Sequence, residues 1–194
     1  MNPVADAFQQ VLAALDTLEI RYAVGGSVAS SIRGNYRYTN DIDILVEMVA
    51  DQVGDFVARL GPDFYADVDR MREAFRLGRA WNLIHTKSAC KFDLFPANTE
   101  FTKSELARRR FEVTGSFGPE IEFAVTSAED ILLYKLVWYR RAGETSEQQW
   151  RDASGIVAVQ GDRLDRAYLR EWAPKLRVED LLERLLSQPP AQMS

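Results

Sequence analysis

Two aspartates one residue apart, Asp41-Ile42-Asp43, lead an apolar run that continues to Val46. Side chains alternate across a strand, so both carboxylates lie on one face and Ile42 and Ile44 on the other. Adjacent hard-oxygen donors suit Mg²⁺. The spacing alone says little in so acidic a chain. Asp67-Val68-Asp69 repeats it beside Pro62, Phe64 and Tyr65 with no apolar run after it, and reads as a solvated loop or strand edge. The first pair differs in its company. Gly25-Gly26-Ser27 follows a short strand and opens a helix, where free backbone N–H groups and the helix dipole attract phosphate oxygens and the lack of side chains admits a triphosphate. A Gly-Gly turn that merely joins strand to helix is the plainer reading; neither a Walker loop nor a dinucleotide fingerprint is matched. A third acid, Asp93, alternates with Phe92 and Leu94, an unusual place for a solubilising charge; an ion pair with a neighbour such as Lys91 is the alternative. Three carboxylates on adjacent strands are what two-metal phosphoryl transfer requires, one ion orienting the triphosphate and the other acidifying an acceptor hydroxyl.

Other residues offer support with a structural alternative beside each. Lys135 interrupts an apolar helix face between Leu132 and Leu136, either to reach an anion such as a triphosphate or to extend along its own alkyl chain to water. Arg37 and Thr39, just ahead of the first acidic strand, can orient phosphate or simply shape a loop. Arg140, Arg141 and Arg151 with Asp152 read as an ion-pair network between helices before they read as an acceptor groove. Arg108-Arg109-Arg110, at the end of a short helix, suits the dipole and a solvated face. His85 reads as a hydrogen-bonded structural residue on a strand, and Trp138, Trp150 and Trp172 as core.

These residues need a sheet to hold them. Phe8, Val11, Leu12, Leu15 and Leu18 recur at helical spacing after Pro3. Ile20 to Val24 reads as a strand running into the Gly-Gly turn, followed by a short helix over 28–33 and a stop at Gly34-Asn35. Ile42 to Val46, Ala80 to His85, Cys90 to Phe95, Phe111 to Val113 and Ile121 to Val125 read as strands, and Asp51 to Leu60 as a helix. No strand signal follows Val125. Thr126 with Glu129 and Ser146 with Gln149 look like capping boxes for two helices ending near Arg141 and Gly161, a third helix starts at Asp165, and a fourth carries Leu181, Leu182, Leu185 and Leu186. Residues 1–125 are thus expected to form an α/β or α+β sheet domain and 126–194 a helical subdomain, with a frayed tail from Gln188.

Composition closes other routes. The 194 residues are 46% apolar and 27% charged, as in an ordinary globular chain, and the net charge of -5 argues against coating nucleic acid by charge alone. Cys90 and His85 are the only residues of their types, which excludes an internal disulfide and any His/Cys zinc site and fits a reducing cytoplasm. No signal peptide or membrane span is expected.

The combination of Gly26-Ser27, Asp41-x-Asp43 and a later strand Asp93 resembles the signature of the DNA polymerase β-like nucleotidyltransferase superfamily. Tyr22-Ala-Val-Gly-Gly-Ser, Arg37-Tyr-Thr-Asn-Asp-Ile-Asp, Asn82-Leu-Ile-His, Lys91-Phe-Asp-Leu and the stretch from Ser146 to Asp152 extend the resemblance to small bacterial members related to abortive-infection and toxin–antitoxin nucleotidyltransferases. The resemblance implies a mixed β-sheet packed on helices. It also implies two Mg²⁺ ions held by Asp41, Asp43 and Asp93, with Asp93 helping to deprotonate the acceptor. Gly25, Gly26, Ser27, Arg37, Thr39 and Lys135 would serve the nucleoside triphosphate. Transfer of a nucleoside monophosphate to a hydroxyl of tRNA, protein or a small molecule would release pyrophosphate, and a cognate toxin or antitoxin would be the protein partner. The alternative is a catalytically silent binding module of the same fold.

Overall fold

The computed structural model describes residues 3–26, 28–29, 41–114 and 120–187. It divides into two compact units. One takes the described residues within Met1–Val28 and Tyr38–Thr126, the other those within Ala29–Arg37 and Ser127–Ser194.

The first unit is built on a seven-stranded mixed sheet in the order β3-β4-β5-β2-β1-β7-β6. Its strands are β1 (Tyr22–Val24), β2 (Asp41–Val46), β3 (Phe64–Tyr65), β4 (Trp81–His85), β5 (Cys90–Pro96), β6 (Arg110–Thr114) and β7 (Ile121–Val125). The two parallel pairings, β2 with β5 and β1 with β7, lie in the interior of the sheet, and the remaining pairings are antiparallel. Central strands are apolar on one face because that face is covered: Ile42, Ile44, Phe92, Leu94 and Phe123 are fully buried. Helix α1 (Pro3–Thr17) meets this layer through Phe8, whose ring stands edge-on to Phe123 at 4.9 Å between centroids. Burying an aromatic side chain of this kind contributes roughly 2–3 kcal/mol. Helices α2 (Val53–Arg59) and α3 (Val68–Arg76) bury Phe56, Met71 and Phe75. The opposite face is split. At one end Ala23, Leu45 and Phe95 pack with Ala97 and with Leu106 of α4 (Glu100–Ala107); at the other end stand the charged residues of β2 and β5.

Two expectations change here. Asp67-Val68-Asp69 is not a loop or strand edge but a helix start, where the Asp67 carboxylate accepts from the backbone N–H of Arg70 and Asp69 lies in the first turn. Its local polarity resembles a loop because N-caps and turns use the same residues. The helix expected over 51–60 opens as a 3₁₀ turn, Ala50–Gln52, before α2. The short helix expected over 28–33 and the tail from Gln188 lie outside the described residues, Val28 and Ala29 excepted.

The second unit is helical: α5 (Ala128–Arg141), α6 (Glu147–Gln160), α7 (Arg166–Lys175) and α8 (Glu179–Leu186). The cap of α5 is Ser127, not Thr126. The N–H of Thr126 donates to Val24 O at 3.0 Å and extends the sheet register, so the next residue takes the cap and accepts from Asp130 N. Glu129, expected to close that capping box, instead accepts from the backbone N–H of Asp165 at 2.9 Å. Ser146 and Asp165 cap α6 and α7 by accepting from Gln149 N and Tyr168 N. Trp172 is buried, but Trp138 is 49% exposed under the Arg141 guanidinium, because α5 turns Ile131, Leu132, Leu136 and Tyr139 inward instead. Trp150 is half-buried beneath Arg184, whose guanidinium sits 4.0 Å from the ring centroid.

Candidate active site

Strands β2 and β5 run parallel in direct register, with Asp41 opposite Lys91, Asp43 opposite Asp93 and Leu45 opposite Phe95. Alternation therefore places Asp41, Asp43, Lys91 and Asp93 on one face, while Ile42, Ile44, Phe92 and Leu94 point into the core on the other. The sheet brings together all three acids that the sequence singles out. Asp41 is exposed, and Asp43 and Asp93 are half-buried.

The turn after β1 closes over this end. The Gly25 N–H donates to Asp43 O at 2.9 Å, continuing the β1–β2 ladder past Val24. Gly26 follows with a φ of +55°, and a Cβ there would fall 1.7 Å from Asp43 Oδ2. Glycine is required twice, by conformation and by the carboxylate beside it. Ser27, Arg37 and Thr39 lie outside the described residues.

The alternative reading of Asp93 is realised in this structure: the Lys91 ammonium donates to Asp93 Oδ2 at 2.8 Å and stands 3.8 Å from Asp41 Oδ1. The hydrogen bond to Asp93, with the charges of Asp93, Asp41 and Asp43, raises the Lys91 pKa above the ordinary lysine range against the opposing effect of partial burial. Among the described residues no group of three or more Asp, Glu, His or Cys converges closely enough to hold a metal ion. What the four charged residues share is a face and a registered pair of strands, with a lysine cation lying among the acids. Asn82, opposite Asp93 on β4, is exposed and shares that face. Its position follows from strand alternation once the β4–β5 pairing is known, a pairing that the local sequence does not specify.

Lys135 belongs to the helical unit and is buried there. Its ammonium donates to Asp152 Oδ2 at 2.8 Å, an ion pair that links α5 to α6 beside the Tyr139–Trp150 ring contact. This corrects the expected network around Asp152, whose cation is Lys135. Arg140 pairs instead with Glu144 and Asp180. His85 has the structural role expected, 4% exposed, with Nδ1 at 2.7 Å from Ser88 Oγ and its ring 4.9 Å from Phe64. Arg109 donates to Leu106 O in the last turn of α4, as a cation at a helix C-terminus does.

Two solved structures share this architecture. The solution structure of the antibiotic-resistance factor ANT(2'')-Ia is 12% identical, with a TM-score of 0.55, over 95% of this chain and 99% of that one. The crystal structure of an antigenic nucleotidyltransferase-like protein from Paracoccidioides brasiliensis is 18% identical, with a TM-score of 0.52, over 96% of this chain and 93% of that one. No family model and no curated protein sequence matches the chain. The likeness establishes the fold: a mixed sheet with helices of the nucleotidyltransferase type.

Proposed function

We propose that the chain is a nucleotidyltransferase that moves a nucleoside monophosphate from a nucleoside triphosphate onto an acceptor hydroxyl and releases pyrophosphate. The observation that carries this reading is the registered placement of Asp43 beside Asp93 on parallel strands, with the Gly25-Gly26 turn closing on Asp43. The donor set fits Mg²⁺ chemically: three carboxylates on one face supply hard oxygens, and a cation, the Lys91 ammonium, already lies against two of them. Asp41, Asp43 and Asp93 would hold two such ions, which supply charge neutralisation at the triphosphate and a lowered pKa at the acceptor hydroxyl. The chain's own contributions are distinct. Gly25, Gly26 and Ser27 offer their backbone to the terminal phosphates, Asp93 takes the acceptor proton, and Arg37 and Thr39 serve the triphosphate.

The setting we propose is a cytoplasmic toxin–antitoxin or abortive-infection system with a cognate protein partner, and the acceptor is a hydroxyl of tRNA, a protein or a small molecule. The motif stretches around Asn82, Lys91 and Ser146 support this setting. The second reading, a silent binding module of the same fold, draws on the lack of a converged three-ligand group among the described residues. Incubation with each labelled triphosphate, Mg²⁺ and a mixture of cellular RNA and protein tests the proposal. Label should pass to one acceptor class and vanish with Asp41→Ala or Asp93→Ala at unchanged fold. Undiminished transfer in either variant overturns the mechanism, and absence of calorimetric binding by all four triphosphates favours the silent module.

A further inference from the structure

We propose that Lys91 is a built-in counter-cation of the acid cluster, one that a divalent ion must displace to bind at Asp93. The inference rests on the nucleotidyltransferase reading of this site. Lys91 and Asp93 are two residues apart on β5, and Asp41 and Asp43 stand opposite them on β2, so four charges occupy the corners of one small patch of sheet. Three are acids whose mutual repulsion opposes their gathering on one face. The ammonium bridges two of them, at 2.8 Å from Asp93 Oδ2 and 3.8 Å from Asp41 Oδ1, and the pair is partly shielded, with the Asp93 side chain 20% exposed.

A metal ion ligated by Asp93 shares a carboxylate whose Oδ2 Lys91 holds, and two cations on one carboxylate repel. A lysine suits this exchange because its charge is compact and its stem rotates freely, whereas an arginine fork would grip both acids. Strand geometry allows the withdrawal: the Lys91 side chain is 38% exposed, and its β4 neighbour on this face is the exposed Ile84. The affinity for a bare divalent ion is therefore held below that of three unopposed carboxylates. A metal that arrives with a polyphosphate, which brings compensating negative charge, is favoured over the free ion.

The test is Mn²⁺ titration of the full chain, followed by electron paramagnetic resonance, for wild type, Lys91→Met, Lys91→Gln, Lys91→Arg and Asp93→Asn, each with and without a non-hydrolysable triphosphate. Without nucleotide, Lys91→Met and Lys91→Gln should bind Mn²⁺ about tenfold more tightly than wild type, and Lys91→Arg should not. The nucleotide should narrow the difference. Equal or weaker binding by both neutral variants, with circular dichroism matching wild type and with Asp93→Asn losing the ion, overturns the role of Lys91 and leaves the site reading standing. If wild type binds no Mn²⁺ even with the triphosphate, the site reading itself fails, and this inference with it.

Discussion

The backbone of Gly26 and the carboxylate of Asp43 are in direct opposition: a Cβ at residue 26 would lie 1.7 Å from Oδ2, 2.6 Å from Cγ and 2.9 Å from Cβ of Asp43. Rotation of the Asp43 carboxylate cannot relieve the last of these, and the +55° φ adds a left-handed cost of about 1–2 kcal/mol for any L side chain. Gly26→Ala should therefore destabilise by about 2–4 kcal/mol and displace Asp43. Gly25 is the contrast, since the nearest atom to its added Cβ is Thr126 Cγ2 at 3.8 Å. Gly25→Ala should lie within about 1 kcal/mol of wild type in urea unfolding. Equal costs for the two substitutions would sink this account of the turn.

Two buried acids predict the alkaline limb of stability. Burial is the main cause that pushes both the Tyr22 phenol and the Cys90 thiol up to about 12, with nearby negative charge from Asp16 and Asp41 respectively adding to it. In the unfolded chain these groups release protons near 10 and about 8.5. Between the unfolded and folded values the native state binds more protons, so stability falls as pH rises: first through Cys90 above about pH 8.5, then through both groups above about pH 10. Each contributes a limiting slope of about 1.4 kcal/mol per pH unit. Denaturation midpoints from pH 7 to 11 should steepen in this order, and Tyr22→Phe and Cys90→Ala should each flatten the curve. The same burial keeps Cys90 unreactive toward a thiol reagent at pH 8 until the chain unfolds.

What the sequence made legible was alternation. Asp41, Asp43 and Asp93 among Ile42, Ile44, Phe92 and Leu94 defined a charged face and a core face before any pairing was known, and β2 and β5 align them. The Gly-Gly turn was legible for a similar local reason. Pairing was not legible, because register depends on strands brought together from distant parts of the chain. That β5 lies beside β2, and β4 beyond it, is what sets Asn82 next to Asp93 and Asp41 across from Lys91. Cap positions were readable to within one residue, and Thr126 failed as a cap because the sheet had already taken its N–H. Helix α3 was missed because Asp67 and Asp69 mark an N-terminus and a solvated loop equally well.

In the helical unit, the Lys135–Asp152 pair predicts a coupling between α5 and α6. The Lys135 side chain is 8% exposed and that of Asp152 23%, so each depends on the other for charge compensation. Lys135→Met and Asp152→Leu should each cost about 1–3 kcal/mol, and the double substitution clearly less than the sum. Additive costs in a double-mutant cycle would mean that the two side chains do not hold the helices together.

A second network in this unit makes a sharper claim, because its acid has no exposed surface. Asp130 is 0% exposed, and two hydroxyl groups donate to it: Ser127 Oγ to Oδ2 and Tyr168 Oη to Oδ1, both at 2.6 Å. Ser127 simultaneously accepts from the Asp130 N–H as the cap of α5, so one hydroxyl serves both the helix end and the buried acid. Tyr168 lies in the first turns of α7, and its hydroxyl therefore links α7 to the start of α5. Short hydrogen bonds to a charged acceptor are worth more than neutral ones, and a donor lost in a buried site is not replaced by water. Tyr168→Phe should cost about 2–3 kcal/mol although it removes a single oxygen, and Ser127→Ala about 1–2 kcal/mol. In Asp130→Asn, where an amide oxygen replaces the carboxylate as acceptor, the additional cost of Tyr168→Phe should fall by about half. Urea unfolding of the four-member cycle of Tyr168→Phe with Asp130→Asn measures this directly. A Tyr168→Phe penalty that is the same in both backgrounds would show that a carboxylate at residue 130 strengthens this bond no more than an amide does.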